Sequence, residues 1–210
     1  GIEIQIDGYL LQRPDLYWQL SFNGYTNKNK IDKISTALKE QNAANNSSGS
    51  VTPLGQYEEG ESITALKVVV QQQEVFYKLN GERTFEYDPD DKVIVGDTEP
   101  KFRGNVSTNF YYKGFSVYIL GTFKCGGYLY NSTRASKIEG TDAKYNVDER
   151  AFNERWKNPG DIALYKNIAI TGTTPKHTDR FVEKENVFTL TTFNLGYEFN
   201  QNICSRLHVR

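Results

Sequence analysis

The stretch FRGNVSTNFYYKGFSVYILGTFKC, residues 102–125, contains two alternating segments on either side of one short turn. In residues 102–112 the even-numbered positions are mostly apolar, while Arg103, Asn105 and the other odd-numbered positions are polar. In residues 115–125 the odd-numbered positions carry the apolar side chains, with Leu120 as the one exception. A period of two residues predicts β-strands with one apolar face, joined here by a tight hairpin turn.

The same alternation recurs along the chain. In residues 1–12, Ile2, Ile4, Ile6, Gly8 and Leu10 are predicted to share one face. In residues 187–199 the predicted apolar face holds Val187, Thr189, Thr191, Phe193, Leu195, Tyr197 and Phe199. We therefore predict an all-β, antiparallel fold with strands at about residues 1–12, 16–27, 102–112, 115–125, 187–199 and 203–210.

The connections between the predicted strands are of two very different lengths. Short turns join three hairpins, whereas about residues 28–100 and 126–186 form two long polar segments. Short turns at one end and long loops at the other are typical of outer-membrane β-barrels, whose strands need 9–11 residues to cross the bilayer. Within the first long segment we predict a helix over residues 31–44, and residues 62–79 have strand-like composition.

The two faces of the predicted strands differ in chemistry. Aromatic residues lie near the short turns on the apolar face, as in the girdle of a membrane barrel: Trp18, Tyr112, Phe115, Tyr197 and Phe199. The opposite face carries charged residues that are costly in a dry core but not in a water-filled lumen. The alternation alone also fits a soluble or secreted β-rich ligand-binding module with the apolar faces as its core. The loop lengths favour the membrane barrel.

Composition excludes several other classes of protein. The 210 residues carry 25 Lys and Arg against 26 Asp and Glu, so there is no basic footprint for nucleic acid. No run of 18 apolar residues predicts a transmembrane helix. We therefore expect no nucleic-acid partner.

The chain carries no pattern typical of a catalytic or metal site. No GxSxG, Walker, GxGxxG or HExxH motif is present, so we predict no enzyme, no catalytic residue and no cofactor. Cys125 and Cys204 are not in a CxxC pair, and we expect both to be free thiols and no metal to bind. His177 and His208 are expected to be solvated polar residues.

Aromatic and arginine side chains in the second long loop are the best candidates for ligand or partner contact, because aromatic faces with arginines suit sugar rings or a protein surface. These residues are Trp156, Arg155, Tyr145, Tyr165 and Tyr128. The alternative is that Trp156 merely packs the loop against itself. On the strands, four residues are expected to face the lumen: Tyr118, Lys124, Asn194 and Glu198.

An ordered set of short motifs extends over nearly the whole chain. The motifs are Asn27–Ile31, Tyr57–Ser62, Val95–Phe102, Tyr112–Phe115 with Gly126–Asn131, Arg155–Asp161, and Asn194–Tyr197. In their order and spacing they resemble the C-terminal part of the SusC/RagA-type TonB-dependent outer-membrane transporters of Bacteroidetes.

The resemblance implies a many-stranded barrel, plugged by an N-terminal domain and capped by a SusD-like lipoprotein. Such transporters import glycans or peptides with energy delivered through TonB. It implies that residues 1–210 are the C-terminal portion of a barrel domain in a bacterial outer membrane, without the plug. The implied partners are the rest of the barrel and its plug, a SusD-like lipoprotein, outer-membrane lipid, and TonB through an N-terminal part outside this sequence.

Overall fold

The structure is a computed structural model that describes residues 1–47, 56–70, 92–170 and 177–199. Within these residues the strands are β1 (Ile2–Arg13), β2 (Leu16–Thr26), β3 (Ala65–Val69), β4 (Lys92–Asp97), β5 (Phe102–Tyr112), β6 (Phe115–Tyr130) and β7 (Val182–Tyr197). One sheet has the order β1-β2-β5-β6-β7, and β3 pairs with β4 in a second. The pairs β1–β2, β2–β5, β5–β6 and β3–β4 are all antiparallel. The predicted all-β, antiparallel fold is confirmed.

The described helices are short. Helix α1 spans Thr36–Ser47, α2 spans Arg150–Asn153, a π-helical segment spans Arg134–Glu139, and a 3₁₀ turn spans Asp179–Phe181. None of these helices has the length and apolar character needed to span a membrane. The helix predicted over residues 31–44 begins later, because the Ser35 hydroxyl accepts the Leu38 N–H and caps the first turn.

The registers of β2, β5 and β6 keep one face apolar. Phe22 lies opposite Val106, which lies opposite Gly121, and Leu16, Tyr112 and Phe115 line up in the same way at the short turns. Many of these apolar side chains stay exposed, with Val106 at 37% and Phe115 at 41%. The sheet therefore presents a broad apolar surface rather than burying it.

The sequence predicted that strand β1 alternates strictly to its end, but the structure shows that it does not. The register shifts between Tyr9 and Leu11, so that Leu11, not Leu10, pairs with Trp18. A β-bulge leaves Leu10 without a partner in the register, and Tyr9 and Gln12 lie opposite Gln19 and Tyr17 on the polar face. The strict alternation predicted for residues 1–12 is therefore interrupted after Tyr9, because a bulge breaks the period of two.

Strand β7 also changes register along its length. Phe188 packs over Gly121, on the apolar face of β6, and the Thr191 hydroxyl lies 3.4 Å from that of Thr122, on the polar face. Nearer the end of β7, a side chain at Gly196 would instead meet the Ser116 hydroxyl on the polar face. The parity therefore shifts by one residue between Thr191 and Gly196, and the prediction that Thr191 lies on the apolar face is wrong.

Two long segments are shorter, or more regular, than predicted. Strand β6 continues to Tyr130 and β7 begins at Val182, so the loop predicted for residues 126–186 is confined to residues between those strands. The segment 28–100 contains α1, β3 and β4. Of the strand-like residues 62–79, Ala65–Val69 form β3, and residues 71–79 lie outside the described part of the chain. The predicted strand 203–210, with Cys204 and His208, also lies outside it.

The chain divides into two compact units. The sheet unit comprises residues 1–28, 100–127 and 185–210, and the loop unit comprises residues 29–99 and 128–184. In the loop unit, a buried apolar core is formed by Ala135, Ile138, Ala151, Tyr165 and Phe181. The sheet unit thus has an exposed apolar face, whereas the loop unit has a small buried apolar core.

Candidate functional site: the loop core and the polar face of the sheet

The centre of the loop unit is a tyrosine surrounded by arginines. Tyr165 is 1% exposed, and the guanidinium carbons of Arg134, Arg155 and Arg180 lie 5.8, 5.9 and 5.7 Å from the centroid of its ring. Arg134 Nε donates a hydrogen bond of 2.7 Å to the Tyr165 hydroxyl. Cation–π contacts and hydrogen bonds together hold this ring among three positive charges.

The guanidinium of Arg155, beside Tyr165, forms hydrogen bonds with backbone carbonyls of the loop unit. Buried Arg155 donates to the carbonyls of Ala151, Ile138, Glu139 and Lys166, the last two at 2.8 and 3.0 Å. A guanidinium presents five donors in a fixed planar fork, so one Arg can satisfy several loop carbonyls at once. The arrangement fastens distant loop segments to one another.

The second arginine of the core forms a buried ion pair. Arg180 pairs with Glu139, whose side chain is 2% exposed, and it also donates to the Leu164 carbonyl at 2.6 Å. Removing one partner of a buried pair leaves an uncompensated charge, which costs far more than losing a surface pair. Glu139 and Arg180 are therefore structural residues of this loop.

The predicted ligand-contact residues are not brought to one exposed surface. Trp156 is 4% exposed and its backbone N–H donates to the Tyr165 carbonyl at 3.0 Å, so Trp156, Arg155 and Tyr165 lie together inside the loop unit. This arrangement favours the alternative in which Trp156 packs the loop against itself. Tyr145 is 74% exposed, and the ring of Tyr128 lies against Gly96 of β4. Ligand contact by these residues stays a prediction.

A junction between the two long loops was not found from the sequence. Val69 of β3 forms a parallel bridge with Thr178, and its N–H donates to the His177 carbonyl at 3.0 Å. The His177 ring packs edge-on against Tyr130, at 5.2 Å between centroids. His177 is thus half-buried, and the prediction that it is solvated is wrong, since the two loops close around it.

Burial changes the acid–base properties of both rings at this junction. It lowers the pKa of His177 below its usual value, because the imidazolium loses solvation. It raises the pKa of Tyr130 to about 12, although the positive charge of Arg180 acts in the opposite direction. Both rings are therefore neutral at pH 7.

The polar face of the sheet is continuous across four strands. The register sets Tyr9, Gln19, Asn109 and Tyr118 side by side, and likewise Glu3, Tyr25, Arg103 and Lys124. Arg103 lies over the ring of Tyr25 at 4.8 Å, and Lys124 lies 3.8 Å from Glu185. Amides, hydroxyls and charges of both signs thus make this face suited to water and polar ligands.

A shallow concavity of about 360 Å³ lies on this face near the short turns. It is lined by Tyr9, Gln12, Arg13, Tyr17, Gln19 and Asn109. The bulge in β1 places Tyr9 and Gln12, three residues apart, on this one face, where both line the concavity. Tyr17 stacks on Tyr111 beside it, with ring centroids 5.3 Å apart.

Two of the four residues expected to face a lumen lie on this polar face. Tyr118 and Lys124 lie on it by register, whereas Glu198 follows the end of β7, where its backbone N–H donates to the Gly114 carbonyl at 2.7 Å. Asn194 belongs to the stretch in which the parity of β7 shifts. Their exposure to a lumen stays a prediction. Cys125 is a free, exposed thiol, whereas Cys204 is outside the described residues.

Comparison with known proteins gives two kinds of likeness. The chain matches no protein-family profile. It is 26% identical over 136 residues to a TonB-dependent receptor of Formosa agariphila, a match that covers 63% of this chain and 13% of the receptor. The predicted resemblance to TonB-dependent proteins of Bacteroidetes is confirmed.

Solved structures share the fold. A chain of the RagAB peptide importer in its "closed-closed" state matches with a TM-score of 0.61 at 14% identity, covering 96% of this chain and 23% of that one. A chain of the RagAB peptide transporter matches with a TM-score of 0.62 at 16% identity, covering 96% and 22%. The chain therefore spans less than a quarter of the length of these relatives.

Proposed function

We propose that this chain forms part of the barrel wall of a TonB-dependent transporter in a bacterial outer membrane. One observation carries the proposal: an antiparallel sheet that has one apolar, exposed face and one mainly polar face. A soluble module would bury such an apolar face against a second layer, whereas a membrane barrel turns it toward lipid. The likeness in sequence to a TonB-dependent receptor supports the same assignment.

Trp18 fits a lipid-facing wall. It lies on the apolar face near the short turns, 37% exposed, and its indole N–H donates to the Thr108 hydroxyl at 2.8 Å. An indole N–H without a partner in hydrocarbon is costly, and a cross-strand hydroxyl supplies that partner here. In this proposal the short turns face the periplasm.

The cargo and the partners are part of the same proposal. We infer import of peptides or glycans, together with a SusD-like lipoprotein, the plug and the remaining strands of a longer polypeptide, and energy supplied through TonB. The polar face and its tyrosines would line the path of the cargo. No catalytic step is assigned to the chain.

The test begins with native outer membranes, probed on a denaturing gel with an antibody raised against residues 138–160. The proposal expects a band several-fold heavier than this 24.0 kDa chain, confined to the detergent-extracted membrane fraction. A band of 24.0 kDa in the aqueous fraction would instead support the soluble or secreted β-rich binding module. Uptake of labelled peptides and of labelled oligosaccharides, with and without the gene, then identifies the cargo.

A further inference from the structure

At the short-turn end of the sheet, the hairpin between β5 and β6 is held on both sides. The Lys113 N–H donates to the Asp15 carbonyl at 2.9 Å, and the Glu198 N–H donates to the Gly114 carbonyl at 2.7 Å. Gly114 has φ +90°, and a side chain there would meet the Glu198 carbonyl. The tip of this hairpin is thus fixed by the turn before β2 and by the end of β7.

Lys113 has a conformation that aims its charge at the apolar face. Its φ is +46°, in the left-handed region that non-glycine residues seldom adopt. Its ammonium nitrogen lies 5.4 Å from the centroid of the Tyr112 ring, which belongs to the apolar face. Among the described residues, no carboxylate comes within 4.0 Å of that nitrogen. The cation therefore stands beside the aromatic surface rather than in an ion pair there.

Exposed rings continue this surface next to Lys113. Phe115 and Tyr197 lie 6.2 Å apart, and Tyr197 and Phe199 lie 5.0 Å apart edge to face. The three are 41–59% exposed, and Tyr112 is 46% exposed. Aromatic rings of this kind lie where acyl chains meet headgroups, and a lysine at the same level reaches the phosphates.

We propose that Lys113, with the rings of Tyr112, Phe115, Tyr197 and Phe199, forms a binding site for an anionic phospholipid on the outer wall of the sheet. The ammonium pairs with the headgroup phosphate, and the rings contact the glycerol and the upper acyl chains. The site rests on the proposed membrane function, since only a bilayer brings a lipid to this face. Charge complementarity and the apolar surface beneath the charge identify a lipid as the occupant.

The test uses the intact membrane protein that contains this chain, extracted from bilayers of mixed phosphatidylglycerol and phosphatidylcholine. Retained lipid is counted by native mass spectrometry. Lys113→Asn removes the charge with a residue that tolerates the left-handed backbone. We expect about fivefold less retained phosphatidylglycerol, because one lysine contributes about 1 kcal/mol to binding an anionic surface. Lys113→Arg should keep the lipid.

Lys28→Asn is the matched control, since Lys28 is exposed just beyond the opposite end of β2 and should leave retention unchanged. Equal retention in Lys113→Asn and the unmodified protein would overturn the site. So would displacement of the lipid by inorganic phosphate alone, which would identify a simple anion site. Recovery of the protein in the aqueous fraction would refute the proposed function itself. That result differs from a folded membrane protein that retains lipid equally without Lys113, which would refute only the lipid site.

Discussion

At the residue scale, the loop unit depends on a few polar side chains of long reach. Arg155 alone satisfies carbonyls from three separate stretches of chain, around residues 138, 151 and 166. Such a residue resembles a surface arginine in sequence, because nothing local indicates its burial. A signal did exist in the alternation of arginines with aromatic residues in the loop, but it indicated a ligand site equally well.

His177 should make the junction between the loops sensitive to pH. Because burial lowers its pKa, the folded junction binds fewer protons than the opened one, so its stability falls as the pH drops below about 6.5. This loss of stability is complete once the pH has fallen below the lowered pKa of His177 in the folded junction. We expect hydrogen-exchange protection of the Val69 N–H, corrected for intrinsic rates, to fall between pH 7.5 and pH 5.5.

His177→Gln is the control, because glutamine keeps a polar side chain that does not titrate. Its Val69 protection should be nearly independent of pH in this interval. If the unmodified protein and His177→Gln responded alike, the histidine would not be the group responsible.

At the element scale, glycines allow the strands of the sheet to pair closely. A side chain at Gly104 of β5 would meet the Asn23 carbonyl and the Gly24 backbone of β2, whereas one at Gly8 of β1 would meet nothing within 4 Å. Backbone atoms cannot move aside as a flexible side chain can. Gly104 is therefore needed for the pairing of β2 with β5, and Gly8 is not.

Gly104→Ala should destabilise the sheet by about 1–3 kcal/mol, since it overpacks a close approach of two backbones. Gly8→Ala, on the same face, should change stability by less than about 0.5 kcal/mol. The measurement is the midpoint temperature of heat-induced unfolding, which is monitored through the shift in gel mobility of the intact protein. Equal midpoints for the two variants would show that the pairing of β2 with β5 does not depend on Gly104.

At the scale of the whole molecule, the faces of the sheet determine how the protein meets its surroundings. Val106 lies mid-strand on the apolar face, opposite Phe22 and Gly121, and its neighbour Ser107 lies opposite Ser21 and Leu120 on the polar one. Residues one position apart thus face different solvents in the proposed membrane wall.

Val106→Lys should reduce the amount of folded protein in outer membranes, because a lysine at mid-bilayer costs about 2–4 kcal/mol. Ser107→Lys, one residue away, should be tolerated. Folded protein is measured as the heat-modifiable band in the detergent-extracted fraction. Normal insertion of Val106→Lys would contradict the lipid-facing assignment, and failure of both variants would indicate two buried faces.

The sequence by itself determined β1, β2, β5 and most of β6 and β7, the apolar side of β2, β5 and β6, and the hairpin at Lys113-Gly114. These are local properties, since a period of two residues places side chains on faces before any strand finds its partner. The motif order likewise pointed to the right class of relatives, although each motif alone is short.

Only the tertiary structure decided where that period fails and what the loops enclose. The bulge at Leu10 and the shift in β7 depend on how neighbouring strands pair, which no single strand encodes. The burial of Tyr165 and Arg155, and the closure of both loops around His177, depend on contacts between residues far apart in sequence. Such contacts form because packing the segments together removes apolar ring surface from water. The arginines then supply hydrogen bonds to the carbonyls that this packing buries.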